Sequence, residues 1–196
     1  MTFRILTVCT GNICRSPLAE QLLRRELTGV DATLGSAGTD ALVGHPMDER
    51  AAAYSVELGG DPDGHAARQL TADTLRETEL VLVASRRHRR SVVELLPRRS
   101  RSSFTIREFA RLLDTLNDDD RAEIAAEDDA DARLAKLVDI AAINRGVAEL
   151  PDEPAEDDIV DPFRQHDAVY AASVAQLVPA IRSIGPVLRR ASAGFP

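Results

Sequence analysis

An apolar run, Phe3-Arg4-Ile5-Leu6-Thr7-Val8, leads directly into Cys9-Thr10-Gly11-Asn12-Ile13-Cys14-Arg15 and then Ser16-Pro17. The run reads as a short buried strand. Ser16 suits a helix N-cap and Pro17 a first helical position, where a missing N–H costs nothing. Leu18, Leu22, Leu23 and Leu27 then form the apolar stripe of a helix ending near Leu27. A strand, a phosphate-sized loop and a helix in this order are the start of an α/β fold. The helix N-terminus leaves backbone N–H groups free at the positive end of the helix dipole, so the loop is an anion site. The five residues between Cys9 and Arg15 can wrap one phosphate. Their N–H groups point inward, Gly11 permits an unusual backbone angle, and Arg15 closes the ring bidentately. The same positive setting favours a Cys9 thiolate, a nucleophile to which Ser16 can donate a hydrogen bond. Cys-x5-Arg alone is a weak signal in a chain with 23 Arg. The strand before it and the Ser-Pro helix start after it make the signal specific.

The pattern continues as strand and helix in alternation. Residues 32–37 read as a strand ending at Gly38, Asp48–Leu58 as a helix, Thr71–Arg76 as a short helix and Leu80–Ala84 as a buried strand. A helix to about Leu96 stops at Pro97, and Phe104–Ile106 reads as a fourth strand. Such alternation implies a parallel sheet flanked by helices. From Asp114 the character changes. Residues 114–161 hold 17 Asp and Glu against 4 Lys and Arg, while the rest of the chain is net basic. Asn117 caps one possible helix there. Asp131–Leu150 reads as an amphipathic helix with Leu134, Leu137, Val138 and Ala141 on one face, and residues 151–158 as an acidic, Pro-containing linker. The expectation is one domain over residues 1–196 with an acidic helical insertion at about 114–158, most simply a solvated surface helix pair. A long helix from Asp167 to about Arg190 follows, kinked or broken at Pro179 and again near Gly185-Pro186.

The composition, 44% hydrophobic and 29% charged, excludes global disorder. There is no run of about 18 apolar residues, so no membrane insertion is expected. The apolar stretch of the first eight residues is too short for a secretory signal, and a cytoplasmic location is expected. Two cysteines and four histidines make neither a disulfide framework nor an obvious zinc site. A basic body with an acidic appendage suits a small anionic ligand and disfavours nucleic acid.

The stretch Val8-Cys9-Thr10-Gly11-Asn12-Ile13-Cys14-Arg15-Ser16-Pro17-Leu18-Ala19-Glu20 resembles the signature of the low-molecular-weight protein tyrosine phosphatases. So do Ser36-Ala37-Gly38-Thr39, Gly44–Ala51, Gly64-His65-Ala66-Ala67-Arg68-Gln69 and Asp161-Pro162-Phe163, in the family's order. The resemblance implies a four-stranded parallel sheet with helices on both faces. It also implies hydrolysis of protein phosphotyrosine through a phosphocysteine, with no metal or organic cofactor. Cys9 is then the nucleophile and Arg15 the phosphate clamp, with Thr10, Gly11, Asn12, Ile13 and Cys14 completing the phosphate-binding loop. Asp161 is the general acid and then base. Pro162 stiffens its loop, and the like charges of Asp157 and Asp158 are expected to disfavour its charged form. Asn12, Ser36 and His65 would form a supporting hydrogen-bond network, Arg68 would be structural, and Cys14 could pair reversibly with Cys9.

The chain also departs from that pattern. Phe163-Arg164 replaces a frequent Tyr pair, leaving Phe163 to wall a phenyl pocket. Asp40–Val43 lacks a frequent Trp, so Leu42 is the candidate opposite wall. Ser85 stands where an Asp is usual, which puts a loop contact in question. The Arg cluster over 86–90 reads as a solvated helix face. Rival readings are a protein-arginine phosphatase, which carries Thr at the position of Ile13, and an arsenate reductase, whose multi-thiol form needs cysteines beyond Cys14. From another class comes a non-catalytic phosphate-binding or redox-sensing module, against which Cys9, Arg15 and Asp161 all speak. The protein substrate is not identifiable from the sequence.

Overall fold

A computed structural model describes residues 2–195. Its strands are β1 (Phe3–Cys9), β2 (Ala32–Gly38), β3 (Leu80–Val83) and β4 (Ser103–Thr105), forming one sheet in the order β2-β1-β3-β4 with every pairing parallel. The side-chain alternation of the strands divides the core in two. Ile5, Leu34, Leu80, Leu82 and Phe104 face one layer, and Leu6, Val8, Val81 and Val83 the other. The first layer is built from α1 (Arg15–Glu26), α5 (Ile106–Leu113), α7 (Ala130–Asn144) and α8 (Asp167–Ala193). The second contains α3 (Ala72–Arg76) and α4 (Arg86–Leu95), contributing Leu75 and Val92. Helices thus cover both faces, as expected. Because β1 has β2 on one side and β3 on the other, chain connections leave it in opposite directions. This opens a crevice at its C-terminal end, where Cys9 lies.

Helix α1 begins two residues earlier than expected. Cys14 occupies the N-cap without a side-chain cap bond, and Pro17 is the third helical residue. Pro17 is harmless there because the first four helical N–H groups lack intrahelical partners anyway. Ser16 is not the cap because its hydroxyl is engaged with the loop. Ile106, expected to end the fourth strand, instead starts α5. Thr105 and Glu108 close a capping box that stops the strand. Helix α2 (Glu49–Glu57) is capped by Asp48.

The acidic region forms α6 (Asp118–Ala125), capped by Asn117, and α7, which ends at Asn144 rather than near Leu150. Arg145, just beyond α7, turns inward to Glu108 and the Ser103 carbonyl and lies over the Phe104 ring. The pair is solvated on one side only. Ile124, Leu134, Leu137, Val138, Ile140 and Ala141 are all buried in the main core.

Helix α8 is continuous through Pro179 and Pro186, so of the expected kink or break the break does not occur. Its buried face, from Tyr170 to Ala191, packs on α1, α5 and α7, and this burial outweighs the two hydrogen bonds that proline removes. Gly185 permits the approach: a Cβ there would come within 2.5 Å of the Cβ of Glu26 on α1. By length and composition, α8 is the one described helix able to cross a bilayer, but half of its most apolar stretch is buried inside the fold.

If α7 is part of the common core, Leu137→Ala is expected to cost about 2–5 kcal/mol in a single urea transition followed by circular dichroism. A loss below about 0.5 kcal/mol would mark α7 as a detached surface element.

Candidate active site

The loop between β1 and α1 is shaped by its carbonyl groups. The Cys9, Thr10 and Gly11 carbonyls accept hydrogen bonds from the N–H groups of Thr39, Asp40 and Leu42 at 2.9–3.0 Å. The Asn12 carbonyl accepts from His65 Nε2 at 2.7 Å, and that of Ile13 from Asp48 N–H at 2.9 Å. Cys14 accepts from Leu18 N–H. Five successive carbonyls are thus tied to the surrounding frame and that of Cys14 opens α1, which leaves the intervening N–H groups to face the hollow of the loop.

The tight curvature is carried by Asn12, whose φ is 56°, and not by Gly11 as expected. Asn is one of the few non-Gly residues that tolerate this conformation, and here its amide is fully engaged. Its Nδ2 donates to Ser16 Oγ (3.0 Å) and Ser36 Oγ (2.9 Å), and its Oδ1 accepts from Arg68 N–H (2.9 Å). Asn12, Ser36 and His65 therefore do come together, under the loop rather than in the cleft. Arg68 donates its Nε to the Ser36 carbonyl at 2.6 Å, in keeping with its structural assignment. A cleft of about 500 Å³ behind the loop reaches Ser36 and His65 from the opposite side.

In front of the loop is a cleft of about 150 Å³ lined by Cys9, Thr10, Gly11, Ile13, Cys14, Arg15, Asp40, Leu42, Asp161 and Phe163. Cys9 Sγ lies 3.0 Å from Ser16 Oγ. Arg15 is only 5% exposed. It donates Nη1 to the Ile159 carbonyl (3.0 Å) and pairs through Nη2 with Asp161 (2.6 Å), while its buried Nε has no partner among the described residues. A buried donor left without a protein partner can be satisfied by a bound anion. Leu42 and Phe163 are among the residues that line this cleft.

Asp161 is brought there by its neighbours. Both carboxylate oxygens of Asp157 accept from Arg111 Nη2, and Asp158 pairs with Arg86 and accepts from its N–H. The Ile159 N–H donates to the Ala84 carbonyl at the end of β3. The like charges expected to bear on Asp161 are therefore neutralised by arginines; they anchor its loop. Asp161 also accepts from the Phe163 N–H at 3.2 Å, a local turn that Pro162 stiffens.

Two neighbours of the site were not singled out from sequence. Asp40 lines the cleft. His88 was assigned to a solvated Arg-rich face, yet it is 4% exposed and spans from Ser85 Oγ (Nδ1, 2.8 Å) to Thr10 Oγ1 (Nε2, 2.9 Å). The contact questioned at Ser85 is thus made through His88. Its spacing to the buried Val92, i to i+4, was the available signal. Burial, and then the charge of Arg15, push the His88 imidazole down to about 4. Burial with the nearby Asp48 pushes the Cys14 thiol up to about 12.

The family model for low molecular weight phosphotyrosine protein phosphatases matches residues 4–127. The low molecular weight protein-tyrosine-phosphatase Etp of Escherichia coli K12 is 46% identical over 93 residues, 47% of this chain and 62% of Etp. The chain thus spans somewhat under two thirds of that relative's length. The probable low molecular weight protein-tyrosine-phosphatase EpsP of Ralstonia solanacearum is 37% identical over 135 residues, 69% of this chain and 90% of EpsP. The crystal structure of the Erwinia amylovora tyrosine phosphatase AmsI superposes with a TM-score of 0.65 and 26% identity, covering 93% of this chain and 91% of AmsI. The chain belongs to the low molecular weight phosphotyrosine protein phosphatase family.

The depressed His88 has a defined effect on stability. An unfolded histidine takes up its proton near 6.5 and the folded one only near 4. Stability from this group is therefore full above about pH 6.5 and falls as pH drops toward 4, by a loss on the order of 3 kcal/mol. Chemical denaturation from pH 7 to 4 is expected to show this slope in the wild type and a shallower one in His88→Gln.

Proposed function

We propose that this chain hydrolyses protein phosphotyrosine through a phosphocysteine formed on Cys9. The observation that carries the reading is the convergence of Cys9 Sγ, the Arg15 guanidinium and the Asp161 carboxylate on one cleft with the apolar walls Leu42 and Phe163. The loop N–H groups and Arg15 hold the non-bridging phosphoryl oxygens, and the walls receive the tyrosine ring. The Cys9 thiolate attacks phosphorus in line with the leaving oxygen. As the S–P bond forms, the bond from phosphorus to the tyrosine oxygen breaks, and the protonated Asp161 delivers its proton to that oxygen. Asp161, now a carboxylate, then takes a proton from water. The water oxygen attacks phosphorus and the S–P bond breaks, regenerating the thiolate and releasing inorganic phosphate. Arg15 is ion-paired with Asp161. An arriving phosphate dianion competes for Arg15 and frees the carboxyl for proton transfer.

Ser16, beside Cys9, stabilises the thiolate, while Asn12, Ser36 and His65 hold the loop shape. Cys14, protonated at neutral pH, serves as the resolving thiol that pairs with an oxidised Cys9, a reversible protection against over-oxidation. A reducing cytoplasmic setting suits such a thiol-dependent site. Residues 114–158 are read as an elaboration of a single domain spanning 1–196, in line with the core burial of α6 and α7.

Hydrolysis of para-nitrophenyl phosphate, with EDTA and reductant present, tests the chemistry. Cys9→Ser is expected to fall to background, and Asp161→Asn to lower kcat roughly 10²- to 10⁴-fold. An active Cys9→Ser would sink the phosphocysteine route. Leu42→Ala and Phe163→Ala are expected to raise KM for a phosphotyrosine peptide about tenfold at nearly constant kcat. Preference for a phosphoarginine peptide or for arsenate would move the chain to another activity on the same fold.

A further inference from the structure

We propose that His88 is a positioning residue of the phosphate loop: its imidazole fixes the Thr10 side chain, and with it the first peptide after Cys9. The proposal rests on the reading of the loop as a phosphate cradle, and it adds a residue from the other side of the sheet.

The tethers through Thr39, Asp40, Leu42 and His65 all reach the loop from the β2 side of β1. His88, in the first turn of α4, holds it from the β3 side, with Nε2 2.9 Å from Thr10 Oγ1. The ring is itself fixed, because Nδ1 lies 2.8 Å from Ser85 Oγ and the side chain is buried. Both ring nitrogens are therefore occupied. A neutral imidazole has one donor and one acceptor, so one hydroxyl donates to the ring and the other accepts from it, and a ring flip would break both contacts. The charged groups around it are Arg15 and Arg87 on one side of the balance and Asp161 and Asp158 on the other.

Capping α4 does not require this imidazole. The Ser85 hydroxyl already accepts the His88 N–H, and Asp158 accepts the Arg86 N–H. What the imidazole adds is the bond to Thr10, the residue joined to Cys9 and one that lines the cleft. Without it, among the described contacts, only the Thr10 carbonyl is held, by the Asp40 N–H, and its side chain is free to rotate. A loop whose N–H groups must all converge on one phosphoryl group is sensitive to small rotations of its peptides.

Two substitutions separate this role from a structural one. An Asn amide reaches about as far as Nδ1, so His88→Asn keeps the Ser85 contact and loses that to Thr10. A Gln amide reaches about as far as Nε2, so His88→Gln keeps the Thr10 contact and loses that to Ser85. The measurements are kcat and KM for para-nitrophenyl phosphate, the thermal midpoint at pH 7, and the inorganic phosphate concentration giving half-protection of Cys9 from iodoacetate. For His88→Asn and for Thr10→Val we expect kcat to fall roughly three- to tenfold, with a similar rise in protecting phosphate. The double variant should be no worse than either single one. His88→Gln should recover most of both losses, although its thermal midpoint is no higher than that of His88→Asn.

If His88→Asn matches the wild type, or if the Asn and Gln variants lose activity equally, His88 does not act through Thr10 and the proposal falls. A wild type that is protected by phosphate but does not turn over would overturn the phosphatase reading alone, with the protection series still deciding His88. A wild type showing neither turnover nor protection would overturn both.

Discussion

The site depends on the outward anchoring of the loop carbonyls from Cys9 to Ile13. A peptide N–H and its neighbouring C=O point in nearly opposite directions, so fixing the carbonyls on the surrounding frame leaves the N–H groups to face one another's centre. That frame consists of Thr39, Asp40 and Leu42 beyond β2, Asp48 at the cap of α2, and His65. Thr39, Asp48 and His65 need not touch a ligand for the ligand site to depend on them. The strained φ of Asn12 has the same origin, being held by four-fold use of its amide and carbonyl groups in the buried network beneath the loop.

The second constraint is how Asp161, on a segment far away in sequence, reaches Arg15. Three adjoining residues hold that segment to the body. Asp157 binds Arg111 of α5, Asp158 binds Arg86 of α4, and the Ile159 backbone bonds to the end of β3 and to Arg15 itself. Two of these anchors are ion pairs whose partners lie far from them in sequence. Acids that look like surplus negative charge along the chain are fasteners in space, and the basic body of the protein supplies their arginines. The value of each pair lies in fixing the loop's position rather than in adding much stability, since partly exposed pairs contribute little.

The sequence was most readable where local rules act alone. The apolar runs of β1 and β3, the leucine stripe of α1 and the Asp48, Thr71 and Asn117 caps all depend on near neighbours, and these elements lie where expected to within two residues. The capping box at Thr105 and Glu108 was equally local and marks the start of α5 that a strand reading overran. Errors of another kind came from long-range packing. Pro179 and Pro186 argue locally for a broken helix, yet burial against α1, α5 and α7 keeps α8 whole. His88 sits among arginines and reads as surface until α4 is laid on the sheet beside Thr10.

By itself, the sequence determined the order of strands and helices, the strand–loop–helix unit around Cys9 and Arg15, and the stock of residue types able to bind and transfer a phosphoryl group. These follow from propensities, periodicity and spacing, all of which act over a few residues. Only the tertiary structure decided what holds Asp161 against Arg15, which residue of the loop takes the positive φ, and that His88 stands beside Thr10. Those choices are made by contacts between residues dozens of positions apart. No short-range rule encodes them, because they exist only once β1, β2 and β3 are side by side.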